Sequence, residues 1–185
     1  MADQTEEYSI IERCRKGDPE IYAVLVERYQ EMIYNVAYRM LGDAENAKDV
    51  AQESFISAYG SLASFKNDAK FSTWLCSIAM NKCRDHLRGR KTMVALDDVA
   101  ELAVAEGPDP ETVLSRKQSS RELQAALGAL PEEYREVIIL KHVEGLDYKE
   151  MEVVLGVGAN ALKVKTHRAR EWMKKYFEKR RCPDG

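Results

Sequence analysis

The chain has 185 residues, of which 45% are hydrophobic and 32% are charged, and its formal net charge is −3. This composition is typical of a globular protein and excludes an intrinsically disordered chain. Charged residues interrupt every apolar stretch before it reaches the roughly 18 residues that a transmembrane helix needs. We therefore expect no membrane insertion and, because the acidic N-terminus has no apolar segment, no signal peptide.

Apolar residues recur at helical spacing in most of the chain, which predicts an all-α fold. Asp18 and Pro19 suit an N-cap and the first position of a helix, and the apolar series of that helix stops before Gly42. A second helix is predicted over about 44–61, and a third begins near Ser72.

The second predicted helix has a polar face formed by Asp49, Gln52 and Glu53. This spacing is typical of a solvated helix, and a protein interface is the alternative. The chain has no Ser-His-Asp order, phosphate-binding loop or H-E-x-x-H motif, so we predict no catalytic residue and no cofactor. Its four cysteines form no C-x-x-C pair, which predicts no metal site and favours free thiols in a reducing cytosol.

The segment that leads into the third helix combines aromatic and basic residues, and residues 70–91 contain six basic side chains and one acidic one. Aromatic rings beside cations suit single-stranded nucleic acid, because exposed bases stack on them. Phe71 and Trp74 lie on the inward stripe and are expected to pack in the core, so the loop from Lys66 to Lys70 is the better candidate. The candidate contacts are Phe65, Lys66, Lys70, Asn81, Arg84, Asp85 and Arg88.

A change of charge separates the two halves of the chain. Residues 1–91 have 13 basic and 14 acidic side chains, residues 92–115 have six acidic and no basic ones, and residues 116–185 have 15 basic and 11 acidic ones. An acidic stretch that also contains glycine and proline is typical of a linker. We therefore predict two small helical domains, 1–91 and 116–185, joined by an acidic flexible linker over 92–115.

The C-terminal half contains a helix-turn-helix pattern. Pro131 separates two predicted helices, and a third predicted helix ends at Gly156. Residues 156–182, which follow it, contain nine basic and two acidic side chains. Leu162 and Ala169 mark the inward face of the last helix, so its polar face is available to the major groove. A solvated basic helix hairpin is the alternative. The candidate DNA contacts are Tyr148, Asn160, Lys163, Val164, Lys165, His167, Arg168 and Arg170.

Several sequence motifs, in this order along the chain, resemble those of a known protein family. They are YQEMIYNVAYRMLGD at 29–43, DVAQESF at 49–55, FSTWLCSIAMNKCRDHLR at 71–88, GPDPE at 107–111 and LPEEYREV at 130–137, followed by HRARE at 167–171. Together they resemble a group 4, extracytoplasmic-function (ECF) sigma factor of bacterial RNA polymerase. The resemblance implies region 2 in residues 1–91 and the helix-turn-helix of region 4 in residues 116–185.

The resemblance also implies partners. Asp49, Gln52, Glu53 and Phe55 are expected to bind the clamp helices of the largest subunit of core RNA polymerase, and region 4 is expected to bind the β flap. Residues 65–91 are expected to recognise and melt the −10 element as single-stranded DNA, with one base flipped into a pocket near the 65–71 loop. Region 4 is expected to read duplex DNA at −35. The family further implies a cytoplasmic, non-enzymatic initiation factor, and control by an anti-sigma factor.

Four residues at the start of the recognition helix depart from the family pattern. Gly158 and Ala161 stand where many relatives carry hydroxyl residues, which predicts a weaker N-cap of the recognition helix. Val164 replaces a small hydroxyl residue, and Thr166 replaces an apolar one.

Two other functions are alternatives to a sigma factor. A free-standing helix-turn-helix regulator would explain only the C-terminal half, and a small helical enzyme or metal protein is the third possibility. A redox role of Cys76 and Cys83 is the alternative to simple packing.

Overall fold

The computed structural model describes residues 2–94 and 111–181, and within these ranges the secondary structure is helical. The α-helices are α1 (Ala2–Arg15), α2 (Tyr22–Leu41), α3 (Ala44–Ser61), α4 (Phe71–Val94), α5 (Glu111–Ala129), α6 (Glu132–Ile138), α7 (Tyr148–Leu155) and α8 (Ala159–Arg181). A 3-10 helix, Leu62–Ser64, follows α3, and a π-helical turn, Ile139–Val143, continues α6. The all-α prediction is confirmed. Most of the predicted linker lies outside the described residues.

Local capping explains where the N-terminal helices begin and end. The side chain of Asp43 accepts a hydrogen bond from the backbone N–H of Asn46 at 2.8 Å, so α3 begins at Ala44 as predicted. The predicted start of the preceding helix at Asp18 was wrong by about three residues. Pro19 begins a turn in which the Tyr22 N–H donates to the Pro19 carbonyl at 3.1 Å. The Asp18 carboxylate does not cap the helix and pairs with the Arg13 guanidinium at 2.6 Å.

Helix α1 was not predicted from the sequence. It packs Ile10, Ile11 and Cys14 into a core that also contains Leu25 and Phe71. This apolar stripe is short, so the periodic signal in the sequence is weak.

The helices form two units, α1–α4 (the N-terminal unit) and α5–α8 (the C-terminal unit). Val36, Met40 and Met80 of the N-terminal unit share one buried cluster with Leu127 and Val137 of the C-terminal unit. Helix α7 packs against α4, and α5 packs against α2. The two units therefore share one apolar core rather than meeting only through polar surfaces.

Replacing Gly42 by alanine is expected to destabilise the fold by about 1–2 kcal/mol. Gly42 caps α2 in the left-handed conformation, with φ of 76°, and its N–H donates to the Tyr38 carbonyl at 2.8 Å. A Cβ at Gly42 would lie 3.5 Å from Nε2 of Gln124, an ordinary contact, so the cost is conformational. Urea unfolding measures the change in the free energy of unfolding.

Gly60 provides a matched control for this substitution. It lies inside α3, and a Cβ there would meet no other atom of the described structure within 4 Å. Gly60→Ala is expected to stabilise the protein by about 0.5–1 kcal/mol, because alanine is favoured over glycine within a helix. Equal stability of Gly42→Ala and wild type would contradict the left-handed cap.

Candidate protein and nucleic-acid interfaces

The polar face of α3 is open to a partner. Asp49, Gln52 and Glu53 are exposed, and the carboxylate of Glu53 lies 3.2 Å from Nζ of Lys82 on α4. Phe55, predicted as a fourth contact, is only 7% exposed and belongs to the core, because it lies six residues after Asp49 on the other side of the helix. Ile56, which the sequence analysis missed, is 72% exposed beside Gln52 and Glu53.

The segment 65–70 forms a turn above a cavity. Asn67 adopts the left-handed conformation, with φ of 57°, and Lys66 and Lys70 are exposed. The Phe65 ring is buried against Trp74, with ring centroids 5.0 Å apart, so Phe65 supports the turn from below. The cavity beside the turn has a volume of about 480 Å³ and is lined by α1, by the turn itself and by α7.

Arg15 of α1 holds the start of this turn in place. Its guanidinium donates to the Leu62 carbonyl at 3.2 and 3.1 Å and to the Phe65 carbonyl, and it pairs with Glu12 at 2.6 Å. The Leu62 carbonyl also accepts the backbone N–H of Phe65 at 3.2 Å, so Arg15 connects α1 to a carbonyl within the 3-10 helix and to the residue that follows it. The sequence analysis did not single out Arg15, because nothing local connects it to carbonyls 47 and 50 residues away.

Helix α4 carries the other predicted −10 contacts along one side. Arg88 pairs with Asp85 at 2.6 Å, and both side chains are about 70% exposed. Arg84 donates to Asn81 at 3.0 Å and forms a two-point pair with Glu136 of α6, at 2.5 and 3.0 Å. The hydrogen bond that Arg84 donates to the Glu136 carboxylate raises the pKa of Arg84, which keeps the guanidinium charged.

A second ion pair connects the turn to α7. Nζ of Lys70 lies 2.7 Å from the carboxylate of Glu150, and this bond raises the pKa of Lys70. Glu150 also accepts the backbone N–H of Asp147, while Asp147 accepts that of Glu150, so the two residues form the capping box at the start of α7. Two of the seven predicted −10 contacts therefore bind carboxylates of the C-terminal unit.

The turn of the helix-turn-helix has the predicted cap at Gly156, with φ of 65°. Helix α8 begins at Ala159. The expected weakness of its N-terminus is offset by Glu152 of α7, whose carboxylate accepts the Ala159 N–H at 2.6 Å. Glu152 therefore replaces the missing hydroxyl cap, and it is a residue that the sequence analysis did not identify.

Helix α8 exposes most of the predicted −35 contacts. Asn160, Lys163, Val164, His167, Arg168 and Arg170 are all exposed. Lys165 is instead half-buried and pairs with Glu133 at 2.8 Å. The Tyr148 ring is half-buried, with the ammonium groups of Lys141 and Lys163 at 4.9 and 5.8 Å from its centre. Tyr148 therefore positions Lys163 through a cation–π contact.

Thr166→Val is expected to stabilise the protein by about 1 kcal/mol. Thr166 is 4% exposed on the inward side of α8, and its hydroxyl has no hydrogen-bond partner among the described residues. Valine keeps the shape and removes the unpaired hydroxyl, whereas the control Thr166→Ser keeps the hydroxyl and loses a methyl group. Urea unfolding is expected to rank valine above wild type and serine below it; equal stability of the valine and wild-type proteins would contradict this account.

Three of the four cysteines lie in the buried apolar clusters of the described residues. Cys14, Cys76 and Cys83 are buried free thiols, and burial raises the pKa of Cys76 and Cys83 to about 12. A thiol with such a pKa is a poor nucleophile near neutral pH, which supports packing rather than redox sensing. No cluster of three metal-ligating side chains occurs among the described residues. None of the helices in the described ranges is both long and apolar enough to span a bilayer.

Comparison with known proteins identifies two family regions in the same order. The family model Sigma-70 region 2 matches residues 25–92, and Sigma-70, region 4 matches residues 120–173. The ECF RNA polymerase sigma factor SigW of Bacillus subtilis (strain 168) is 38% identical over 176 residues, which cover 89% of this chain and 93% of SigW. The RNA polymerase sigma-H factor of Pseudomonas aeruginosa is 33% identical, with 96% of this chain and 97% of that factor covered.

The fold also resembles a solved structure. The sigma factor RpoE of Bartonella quintana, in a co-crystal with the anti-sigma factor NepR, matches with a TM-score of 0.72 and 22% identity. The match covers 85% of this chain and 96% of that chain. The chain therefore shares the fold of that protein.

Proposed function

Because the chain belongs to the extracytoplasmic-function group of the sigma-70 family, we propose that it binds core RNA polymerase and directs it to promoters with specific −10 and −35 elements. The protein then assists promoter opening, and it performs no chemistry of its own. One observation carries the proposal: a single chain combines an exposed acidic face on α3, a basic turn beside a cavity and an exposed basic helix.

The α3 face supports docking to polymerase. Asp49, Gln52 and Glu53 offer acceptors on one accessible stripe, and Ile56 adds apolar area beside them. We propose that this stripe binds the clamp helices of the largest subunit and that region 4 binds the β flap. An apolar side chain surrounded by polar groups is a common arrangement at the centre of a protein interface.

The turn at 65–70 and helix α4 support recognition of the −10 element. Lys66, Lys70, Arg84 and Arg88 supply positive charge along a path that ends at the cavity. We propose that the separated strand follows this path and that a flipped base enters the cavity. Extrusion of a base costs a few kcal/mol, which contacts in the cavity and along the backbone offset.

Helix α8 supports recognition of duplex DNA at −35. Lys163, Val164 and Arg168 are exposed on this helix. We propose that Lys163 and Arg168 contact phosphates or guanines and that Val164 contacts a thymine methyl group. The predicted linker, 92–115, overlaps the end of α4 and the start of α5, and the 16 residues between these helices, 95–110, span at most about 55 Å when extended. Elements one and a half DNA turns apart are about 50 Å apart along the axis, so both units reach their sites on one promoter.

Control by an anti-sigma factor belongs to the same proposal, and is supported by the likeness of the fold to RpoE, which was solved in complex with NepR. We propose that the protein acts in the cytoplasm, because its polymerase and promoter partners are there. A free-standing regulator is less well supported, since it leaves the α3 face and the basic turn without a role.

Transcription in vitro tests the proposed function. Purified chain and bacterial core polymerase are incubated with a random promoter library, and the transcribed templates are sequenced. We expect enrichment of two short elements separated by a fixed spacer. Absence of any transcription, with core enzyme that responds to another sigma factor, would contradict the proposal.

A further inference from the structure

The turn at 65–70, which carries two of the proposed −10 contacts, has little hydrogen bonding of its own. Among the described residues, no hydrogen bond between backbone groups involves residues 66–69. The turn ends where the Trp74 N–H donates to the Lys70 carbonyl at 3.1 Å, in the first turn of α4. The position of the turn therefore depends on what holds its first residue, Phe65.

Aromatic packing fixes the Phe65 ring, and a separate contact fixes its carbonyl. The ring is buried beside Phe71 and Trp74, with ring centroids 5.7 and 5.0 Å away. The Phe65 carbonyl belongs to the peptide bond that leads into the turn, and it accepts a hydrogen bond from the guanidinium of Arg15. Arg15 also donates to the Leu62 carbonyl at 3.2 and 3.1 Å, so one side chain holds two carbonyls that lie three residues apart.

Arg15 is itself held in place by α1. Its third nitrogen pairs with Glu12 at 2.6 Å, one turn earlier on the same helix, and its side chain is only 22% exposed. Ile10, Ile11 and Cys14 anchor α1 in the core. A guanidinium presents several donors in one fixed plane, whereas a lysine ammonium is a point charge on a flexible stem. Lysine therefore cannot reproduce this arrangement of contacts.

Helix α1 and the turn face the same cavity, the one proposed to take a flipped base. Glu7 and Tyr8 of α1 line it together with Asn67 and Lys70 of the turn. Arg15 connects these two walls, so it sets their separation. A binding site is selective only when surrounding residues hold its walls in place, and Arg15 occupies that supporting position.

We propose that Arg15 is a positioning residue for recognition of the −10 element: through the Leu62 and Phe65 carbonyls it holds the basic turn against α1 and sets the width of the cavity for the flipped base. Arg15 acts through the turn and needs no contact with DNA. The inference rests on the proposed function, since it uses the roles assigned there to the turn and the cavity. It also gives α1, which precedes the matched region 2 at 25–92, a part in promoter recognition.

Cleavage of the free chain by trypsin tests the hold of Arg15 on the turn. Lys66 and Lys70 provide two cleavage sites there, and Arg15→Lys keeps the positive charge but loses the planar set of donors. We expect cleavage after these two lysines to be about fivefold faster in the variant. Cleavage after Arg39, within α2, reports general unfolding and is expected to keep its wild-type rate.

Arg13→Lys is the matched control for this experiment. It is the same substitution two residues earlier on α1, at an exposed side chain that pairs with Asp18 rather than with the turn. We expect its turn to be cleaved at the wild-type rate.

Strand binding by the holoenzyme tests the consequence for −10 recognition. The probes are single strands of a −10 element that the wild-type holoenzyme has selected, either intact or with each base in turn replaced by an abasic site. Wild type and Arg13→Lys are expected to lose about tenfold in affinity when the flipped base is missing. Arg15→Lys is expected to lose only about twofold, with unchanged affinity for the −35 duplex.

The outcomes separate positioning from a merely structural role. Cleavage of the turn at the wild-type rate in Arg15→Lys overturns the inference, and so does an equal acceleration after Arg39, which indicates general unfolding. A loosened turn that still distinguishes the intact from the abasic strand as wild type does also overturns it. If the wild-type holoenzyme selects no promoter, the proposed function fails, and the inference fails with it.

Discussion

Asp49→Arg/Glu53→Arg is expected to abolish co-elution of the protein with core RNA polymerase on a sizing column. Both carboxylates are exposed on the stripe of α3 that we propose to bind polymerase, so reversal of their charge leaves the core of the protein intact. Loss of one partner of a close charged contact in an interface costs about 2–5 kcal/mol, and reversal adds repulsion. We therefore expect affinity to fall by at least about a hundredfold.

Glu27→Arg/Glu31→Arg is the matched control for docking. These residues have the same spacing and exposure on α2, and the substitution changes the net charge equally. The control protein is expected to co-elute with polymerase as wild type does. Co-elution of the α3 variant would place the docking surface elsewhere on the chain, and loss of the control would indicate a general effect of charge.

Lys163→Glu/Arg168→Glu is expected to remove the dependence of promoter binding on the −35 element. Both residues are exposed on α8, away from the inward side occupied by Leu162 and Ala169. A base contact is worth about 1–3 kcal/mol, and each phosphate contact contributes about 0.9 to the slope of log affinity against log salt. We expect the holoenzyme to lose about a hundredfold in affinity for a selected promoter, and the salt slope to fall by about two if both residues contact phosphates.

The control for α8 is Arg13→Glu/Lys16→Glu at the end of α1, which changes the net charge by the same amount. Arg13 loses an exposed pair with Asp18, which costs little stability. Promoter affinity of this variant is expected to remain that of wild type. If the α8 variant and the control weakened binding equally, α8 would not be the recognition helix.

Local features of the fold could be predicted from the sequence because local interactions determine them. The Asp43 cap fixed the start of α3, and the left-handed glycine at Gly156 fixed the end of α7. Phe71 was expected in the core and is 1% exposed there. Helix α1 was missed, since its apolar stripe is short and its stability comes from packing rather than from a strong periodic pattern.

The contacts between the two units could not be predicted in the same way. Arg84 and Glu136 are 52 residues apart, and Lys70 and Glu150 are 80 apart. No local pattern relates such pairs, because they form only when the packing of several helices brings them together. The prediction that Phe55 contacts polymerase failed for a different reason. It came from the family motif, although helical geometry turns the Phe55 side chain away from Asp49.

The single apolar cluster shared by the two units has a consequence for the way the protein unfolds. Units with separate cores melt independently, whereas units that bury each other's side chains lose those contacts together. Val36 and Met80 of one unit and Leu127 and Val137 of the other lie in that cluster. Heating the free chain is therefore expected to give one cooperative transition rather than a separate transition for each unit.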